Sequence, residues 1–161
     1  MNKNKLVNWK YRIKSEVKNN ILEYWNNYTQ DNEKGGFYGK ISNDNEINTN
    51  APKGLILNTR ILWTFSAAYR IWQRPEFIDI ADRARNYLVE HFIDKKYKGA
   101  YWMLNSNGKP LIDKKKSYGQ AFFIYALVEY YRATHQDEAK DMARKFFELI
   151  EEFRNFLSSI L

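Results

Sequence analysis

Apolar residues recur at helical spacing along most of the chain. From about residue 5 to residue 28 they return at every third or fourth position and form one apolar face. The members of that face are Leu6, Trp9, Ile13, Val17, Ile21, Trp25 and Tyr28. Residues 75–92 and 136–153 show the same pattern, and Pro75 suits the first position of its helix. We therefore predict three amphipathic helices, each with a side exposed to water.

Two other helical segments, residues 61–69 and 121–128, are apolar on almost every side. A helix of this kind is buried on most sides. A long connection that contains glycine precedes each of them, and the step Asn107-Gly108 between apolar runs in the second connection predicts a tight hairpin. Ser117 and Gln120 have the spacing of a capping box, which predicts a helix start there.

The order of amphipathic helix, long connection and buried helix occurs twice. Arg132 ends the second buried segment 62 positions after Arg70 ends the first, and the same offset relates Gln120 to Asn58. Self-similarity at a fixed period marks a repeat architecture. Alternating buried and half-buried helices are what a ring of helical hairpins requires. We therefore predict an all-α fold of about five helices with inserted β-hairpins, arranged as part of an α/α toroid.

An open solenoid of the tetratricopeptide type is the alternative architecture. Its units have about 34 residues and short turns, whereas these units are longer and contain a hairpin, so the toroid is favoured. Two units and one further helix do not close a ring. The last buried helix should then keep an apolar side open, and this open edge is a surface for self-association.

The charge, the cysteine count and the length of apolar runs argue against several classes of protein. The chain of 161 residues has a net charge of +7, but its basic residues are scattered, which argues against a nucleic-acid partner. It contains no cysteine, which excludes disulfides and thiolate metal sites. No apolar run approaches the roughly 20 residues that span a bilayer. Residues 1–10 are polar and lack the features of a secretory signal, so a cytoplasmic location is predicted.

Connection lengths predict where a binding site would lie. The links from buried to amphipathic helices are short, so the long connections gather at one mouth of the ring, where the buried helices begin. Their free amide groups favour anions or oxyanions at that mouth. The four candidate contacts in the first turns are Asn58, Arg60, Tyr118 and Gln120. Aromatic residues make up 17% of the chain and suit either a thick core or a surface on which sugars stack.

Arg60 is the sharpest of these candidates, because an arginine beside an apolar helix is costly to bury without a partner. It either serves the site, extends along the helix so that its guanidinium reaches water, or forms an ion pair with an acid such as Glu129 or Glu33. Trp63 and Phe65 are expected in the core.

The remaining candidates for chemistry are weak. His91 and His135 are predicted to be surface or capping residues away from the mouth. The acidic residues Asp31, Glu33, Asp44 and Glu46 lack the spacing of an EF-hand loop, so no metal site is predicted.

Four segments resemble cellobiose 2-epimerases, which group with N-acylglucosamine 2-epimerases and mannose isomerases. The segments are GGFYG at 35–39, KGLILNTRILWTFSAAYR at 53–70, GAYW at 99–102 and KSYGQAF at 116–122. The resemblance runs from about residue 5 to residue 153 and implies an (α/α)6 barrel, a sugar substrate and no cofactor. It implies C2 epimerisation of the reducing-end glucose of a β-1,4 disaccharide to mannose, through ring opening and a cis-enediolate.

By the same resemblance, Arg60 would stabilise the enediolate, while Asn58 and Tyr118 would hold the open-chain sugar and Gln120 would assist them. The acid and base of the family are histidines on later inner helices, and His91 and His135 match neither role. We therefore expect residues 1–153 to be an incomplete barrel domain, inactive alone, followed by a divergent tail at 154–161. The alternatives are the N-acylglucosamine 2-epimerase or mannose isomerase branch, or a non-catalytic helical module that binds a partner.

Overall fold

A computed structural model describes residues 3–160, with the side chains of residues 5–156 and 158. The first helix begins as α1 (Lys3–Glu16), passes through a π-helical segment (Val17–Leu22) and continues as α2 (Glu23–Tyr28). Its two halves differ in packing. Leu22 is buried, whereas Trp9 and Ile13 are about half exposed, at 48% and 58%. Of the predicted apolar face, Val17 and Trp25 are partly buried against the core, whereas Ile21 and Tyr28 are 46% and 61% exposed, so most of this face is open.

Four more helices and three short strands follow. They are β1 (Lys53–Gly54), α3 (Leu55–Trp72), α4 (Pro75–Tyr87) with a π-helical extension (Leu88–Phe92), β2 (Met103–Leu104), β3 (Pro110–Ile112), α5 (Ser117–Thr134) and α6 (Asp137–Ile160). Pro75 is the first residue of its helix, where a missing N–H costs nothing. The predicted element order is confirmed. No described helix is long and apolar enough to cross a bilayer.

The predicted tail at 154–161 starts inside α6, which continues to Ile160. Residue 161 lies outside the described residues, as do residues 1 and 2. The division between a domain at 1–153 and a separate tail stays a prediction.

The helices form two layers. In the inner layer α3 packs against α5, and each also packs against an outer helix, α3 on α4 and α5 on α6. Large side chains without measurable exposure fill the space between the layers, among them Leu62, Phe77, Phe92 and Phe123. Inner and outer helices therefore alternate along the chain, as the hydrophobic pattern predicts.

The inner helices are buried on most sides, as predicted. Each of them exposes a stripe of residues on the side away from the outer layer. On α3 the stripe includes Arg60 and Thr64, and on α5 it includes Tyr118, Tyr125 and Val128. The α3 stripe is polar at these two positions, whereas the aromatic and apolar residues of the α5 stripe form the open side that the sequence predicts for the last inner helix.

A small antiparallel sheet joins the two repeat units. The predicted hairpin is present, with β2 and β3 paired around the turn at Asn107-Gly108, where Gly108 has a φ of 78°. Strand β1 lies on the other side of β2, with Lys53 opposite Leu104. The hairpin of the second unit therefore completes a strand of the first, a connection that the sequence does not predict.

The two inner helices end in the same way. Gln73 and His135, 62 positions apart, both adopt left-handed backbone conformations, with φ of 53° and 59°. In each case the backbone N–H bonds to a carbonyl four residues earlier, at 2.7 Å. His135 is thus a C-capping residue. His91 lies against the ring of Tyr87, with 4.5 Å between ring centroids.

Candidate functional site

A groove runs between the exposed stripes of α3 and α5. It has a volume of about 520 Å³. Its lining residues are Arg60, Trp63, Thr64, Ala121, Phe122 and Tyr125. Both helices contribute residues from their first three turns, so the groove lies near the helix N-termini, where the free amides of each helix are found. Aromatic walls and one cation form this groove.

Arg60 is the cation of the groove, and its side chain is exposed. Among the described side chains, no carboxylate forms an ion pair with it. Glu129, one of the two partners considered from the sequence, instead binds Arg70 and Arg132, each at 2.8 Å. The alternative of an Arg60–Glu129 pair is therefore wrong. A guanidinium left without a carboxylate remains able to bind a negatively charged or polar ligand.

Tyr118 lies beside the same groove. Its side chain is 60% exposed, and its ring contacts that of Phe122 with 4.8 Å between centroids. Phe122 in turn lines the groove together with Arg60. The structure thus brings Arg60 and Tyr118 to one surface, as the proposed sugar site requires.

An aromatic pair forms one wall of the groove. Trp63 stacks on Tyr125 with 5.0 Å between ring centroids and 9° between ring planes. Burial raises the pKa of the Tyr125 hydroxyl, and the Glu129 carboxylate adds to this while Arg60 opposes it. Phe65 is in the core as expected, but Trp63 is only half buried. The repeat offset of 62 residues relates Trp63 to Tyr125 and was the signal that could have identified the pair.

Asn58 and Gln120 are buried and bind the backbone. Asn58 Nδ2 donates to the carbonyl oxygen of Gly54 at 2.8 Å, and Asn58 Oδ1 has no partner among the described residues. Gln120 Nε2 donates to the Ala100 carbonyl at 2.9 Å, while its Oε1 accepts from the Ala100 N–H at 2.7 Å. Both ends of the Gln120 amide are therefore occupied. Gln120 positions the loop before α5, which departs from the substrate contact expected from sequence.

The capping box predicted for Ser117 and Gln120 is also wrong. Lys116 is the N-cap residue, no side chain caps the helix there, and Ser117 is already its first helical residue. The Gln120 side chain is unavailable for capping because it binds Ala100.

Each inner helix is fixed at its start by an aspartate–lysine pair. Lys53 Nζ binds Asp31 Oδ2 at 2.8 Å, and Lys115 Nζ binds Asp94 Oδ2 at 2.7 Å. The lysines are separated by 62 positions and the aspartates by 63, and each lysine lies two residues before the first residue of its helix. The 62-residue offset of the sequence relates the two lysines, whereas the sequence pattern grouped Asp31 only with other acidic loop residues. The aspartates that pair with the two lysines are therefore also related by the repeat.

Both aspartates also close a turn. Asp94 Oδ1 accepts from the N–H groups of Lys96 and Tyr97, each at 2.9 Å. Asp31 Oδ1 accepts from Lys34 N–H at 2.9 Å. Among the described residues no three His, Asp or Glu side chains are grouped so that they could hold a metal ion.

The Asp94 turn predicts an acid-sensitive stability. The hydrogen bond from Lys115, together with the Tyr97 and Lys96 amides, lowers the pKa of Asp94 to about 2. A carboxyl whose pKa is lower in the folded state stabilises the fold above its unfolded pKa of about 3.9, and this contribution disappears as the pH falls towards 2. We expect Asp94→Asn to flatten the dependence of the free energy of unfolding on pH between about 4 and 2.

Urea unfolding across that pH range would measure this effect. The matched control is Asp113→Asn, because Asp113 lies in an exposed stretch before α5. Identical pH profiles for the Asp94 variant and the wild-type chain would contradict the prediction.

Comparison with known proteins identifies the family. The model of the family described as N-acylglucosamine 2-epimerase (GlcNAc 2-epimerase) matches residues 35–156. The chain belongs to this family. The chain is 46% identical over 142 residues to the cellobiose 2-epimerase of Bacteroides fragilis, which covers 88% of this chain and 36% of the relative. The family resemblance inferred from the four sequence segments is therefore confirmed.

Two solved structures allow the fold of the chain to be compared as well as its sequence. The cellobiose 2-epimerase of Bacillus thermoamylovorans superposes with a TM-score of 0.85 at 41% identity, over 92% of this chain and 37% of that one. The enzyme of Spirochaeta thermophila gives a TM-score of 0.89 at 34% identity, over 93% and 37%. The chain thus spans little more than a third of the length of these epimerases. Its five helices are a partial (α/α)6 barrel, and the exposed stripes of α3 and α5 lie on its inner layer.

Proposed function

We propose that this chain contributes the Arg60 side of an active site for sugar C2 epimerisation. The substrate would be a β-1,4 disaccharide of the cellobiose type, whose reducing-end glucose becomes mannose. The observation that carries the proposal is the Arg60 guanidinium, which has no carboxylate partner among the described side chains and lies in a groove with the stacked Trp63–Tyr125 pair. Relatives more than 40% identical to the chain are named cellobiose 2-epimerases, and this supports the choice of substrate.

In this proposal the sugar ring opens, a base removes the C2 proton and a cis-enediolate forms. Negative charge then develops on the enediolate oxygens, and a fixed guanidinium beside them stabilises the transition state. The aromatic rings of Trp63, Tyr125 and Tyr118 offer flat apolar faces against which the carbon skeleton packs. Asn58, two positions before Arg60 on α3, is buried, and its Oδ1 accepts no hydrogen bond among the described residues, so a role in holding the sugar requires local opening of this site.

Among the described residues, neither histidine lies where it could serve as the acid or base of the proton transfer. His135 caps the C-terminal end of α5, and His91 packs on Tyr87. Neither lines the groove. We therefore expect the purified chain to be inactive alone and to need the remaining barrel units for turnover.

Conversion of lactose to epilactose tests the proposal. The chain alone should produce none. A single polypeptide that joins residues 1–153 to the remaining part of the Bacteroides fragilis epimerase should produce epilactose at a rate near that of the relative. An inactive but folded joined protein would refute the proposed function, and turnover by the isolated chain would refute the expected inactivity.

In the joined protein, Arg60→Gln should lower kcat by about a hundredfold, because a fixed donor to developing charge contributes about that much. The control is Arg144→Gln, since Arg144 is exposed on α6 and pairs only loosely with Asp141, at 3.9 Å. Equal kcat values for the two variants would exclude a catalytic role for Arg60.

The two other branches of the family remain alternatives for the substrate. The matching family model carries the name N-acylglucosamine 2-epimerase, and mannose isomerases share the resemblance. Assays of the joined protein with N-acetylglucosamine and with mannose decide among the three substrates. If the joined protein has a higher kcat/KM on either monosaccharide than on cellobiose, the chain would be assigned to the branch that uses that monosaccharide. A cytoplasmic location stays a prediction that cell fractionation can check.

A non-catalytic role is the second candidate function. Val128 and Phe147, at the edge formed by α5 and α6, are 43% and 56% exposed, and apolar patches of this kind promote association. Self-association through this edge would appear as a sedimentation coefficient that rises with protein concentration. A chain that stays monomeric at all concentrations would contradict it.

A further inference from the structure

We propose that Arg83, on the outer helix α4, is a positioning residue for Arg60. It fixes the turn that anchors the start of α3, and in this way it sets where the Arg60 guanidinium lies in the groove. Arg83 is not among the residues that line the groove. The inference rests on the proposed function, because the position of Arg60 affects turnover only if Arg60 stabilises the enediolate.

Arg83 holds the backbone of a turn in the first unit. Its Nη2 donates to the carbonyl oxygen of Asp31 at 2.6 Å, and its Nε donates to the carbonyl oxygen of Gly36 at 2.9 Å. The guanidinium carbon also lies 6.0 Å from the ring centroid of Phe37, which has no measurable exposure. A planar guanidinium with two fixed donors therefore holds both ends of the turn at residues 31–36. We call these two hydrogen bonds the Arg83 clamp.

The same turn anchors the start of α3. Lys53 Nζ binds Asp31 Oδ2 at 2.8 Å and also donates to the carbonyl oxygen of Gly35 at 2.5 Å. Lys53 lies two residues before α3, and its side chain is only 1% exposed. Arg60 lies in the second turn of α3. Since the first turns of a helix move together, the place where α3 begins decides the position of the Arg60 side chain.

The second unit has no equivalent of the Arg83 clamp. Lys145 follows Arg83 by 62 positions and lies on α6. It forms no hydrogen bond or ion pair with the residues that the structure describes. It lines an open cavity of about 530 Å³ together with Asp94 and Gly99, which follow the two clamped residues by 63 positions. The turn of the second unit is therefore held by its aspartate–lysine pair without a guanidinium from the outer helix.

This difference between the units coincides with the position of the groove cation. The residue 62 positions after Arg60 is Phe122, which also lines the groove. Contact with an apolar ring is not directional and tolerates a small displacement. The stabilisation of developing charge depends closely on where the donor lies. The unit that supplies the charge therefore requires firmer support than the unit that supplies the ring, and the Arg83 clamp provides it.

Kinetics of the joined protein test this inference. Arg83→Gln should lower kcat about tenfold with KM nearly unchanged, because a displaced guanidinium loses part of its stabilisation of the transition state. The matched control is Lys145→Gln, at the equivalent position of the second unit, and it should leave kcat unchanged. Circular dichroism at the assay temperature checks that both variants are folded. Unchanged kcat for Arg83→Gln, or an equal loss for Lys145→Gln, would overturn the inference.

Combination with Arg60→Gln separates positioning from a general effect on the fold. If Arg83 acts through Arg60, adding Arg83→Gln to Arg60→Gln lowers kcat no further. A purely structural role predicts the same fractional loss in both backgrounds, and that result would refute positioning. If Arg83→Gln does not fold, Arg83→Lys replaces it in the same cycle, since lysine keeps the charge but loses the two fixed donors.

A measurement without turnover distinguishes this inference from the proposed function. In the isolated chain, the proton–nitrogen NMR signal of the Arg60 Nε–H is assigned by its absence in Arg60→Gln. We expect Arg83→Gln to shift this signal and Lys145→Gln to leave it in place. A shifted signal together with an inactive joined protein would count against the proposed function alone. A signal that Arg83→Gln leaves unmoved would contradict the inference.

Discussion

Replacing Lys53 with methionine will lower the free energy of unfolding by about 3–5 kcal/mol, a large part of the roughly 5–15 kcal/mol that stabilises a domain. The side chains of Lys53 and Asp31 are only 1% and 2% exposed. Burial raises the pKa of Asp31, but the hydrogen bond from Lys53 and the neighbouring amides outweigh it and lower the pKa overall. Without Lys53 the Asp31 carboxylate would be buried without its cation. Urea unfolding followed by circular dichroism measures the loss.

The repeat itself provides the control for this substitution. Lys115→Met removes the equivalent pair with Asp94, but the Lys115 side chain is 26% exposed and water can replace part of its interaction. We expect a loss of about 1 kcal/mol there. The double variant Asp31→Asn, Lys53→Met should recover most of the lost free energy of unfolding. The side-chain amide introduced at position 31 is uncharged, and its oxygen still accepts the hydrogen bond from the Lys34 N–H. Equal losses for Lys53→Met and Lys115→Met would show that burial does not set the cost.

A second large effect is expected in the core between α5 and α6. Phe123 has no measurable exposure and stacks on Phe146 with 4.5 Å between ring centroids and 6° between planes. Phe123→Ala should cost about 3–5 kcal/mol, through lost burial of the ring and the cavity that remains. Thermal unfolding at a fixed scan rate gives a first measure, and urea unfolding gives the free energy.

The neighbouring residue is a matched control of the same type. Phe122 is only half buried and lines the groove beside Arg60. We expect Phe122→Ala to cost about 1 kcal/mol, because a partly exposed ring loses less burial and leaves no closed cavity. If both variants lost the same stability, the assignment of these adjacent positions to core and groove would be wrong.

Helical periodicity was sufficient to predict the layers of this fold. Apolar positions repeat at the spacing of a helix over α4 and α6, the segments of α3 and α5 are apolar on most sides, and a 62-residue offset relates these two inner helices. Periodicity predicts these layers because apolar residues three or four positions apart share one face of a helix, so the local sequence shows which face is buried. The hairpin at Asn107-Gly108 was predictable for the same reason, since its turn requires residues that tolerate positive φ.

Contacts between distant segments were less predictable. Gln120 has the spacing of a capping residue, but its amide binds Ala100, 20 positions earlier. Trp63 looks like a core residue because nothing nearby in sequence shows that its ring lies against Tyr125 at a groove. Such details depend on how the helices are placed against one another. Arg60 could be singled out from the sequence because an arginine beside an apolar helical segment is costly to bury in any fold unless it has a partner.

The pairing of β1 with the hairpin β2–β3 has a consequence for synthesis on the ribosome. Leu104, which pairs with Lys53, is added 51 residues later. At roughly 5–20 residues per second, the nascent strand waits about 3–10 seconds for its neighbour. The first unit therefore gains the partner of its strand only after the hairpin of the second unit has been synthesised. Limited proteolysis of ribosome-bound chains arrested before and after residue 112 would show when β1 pairs with the hairpin.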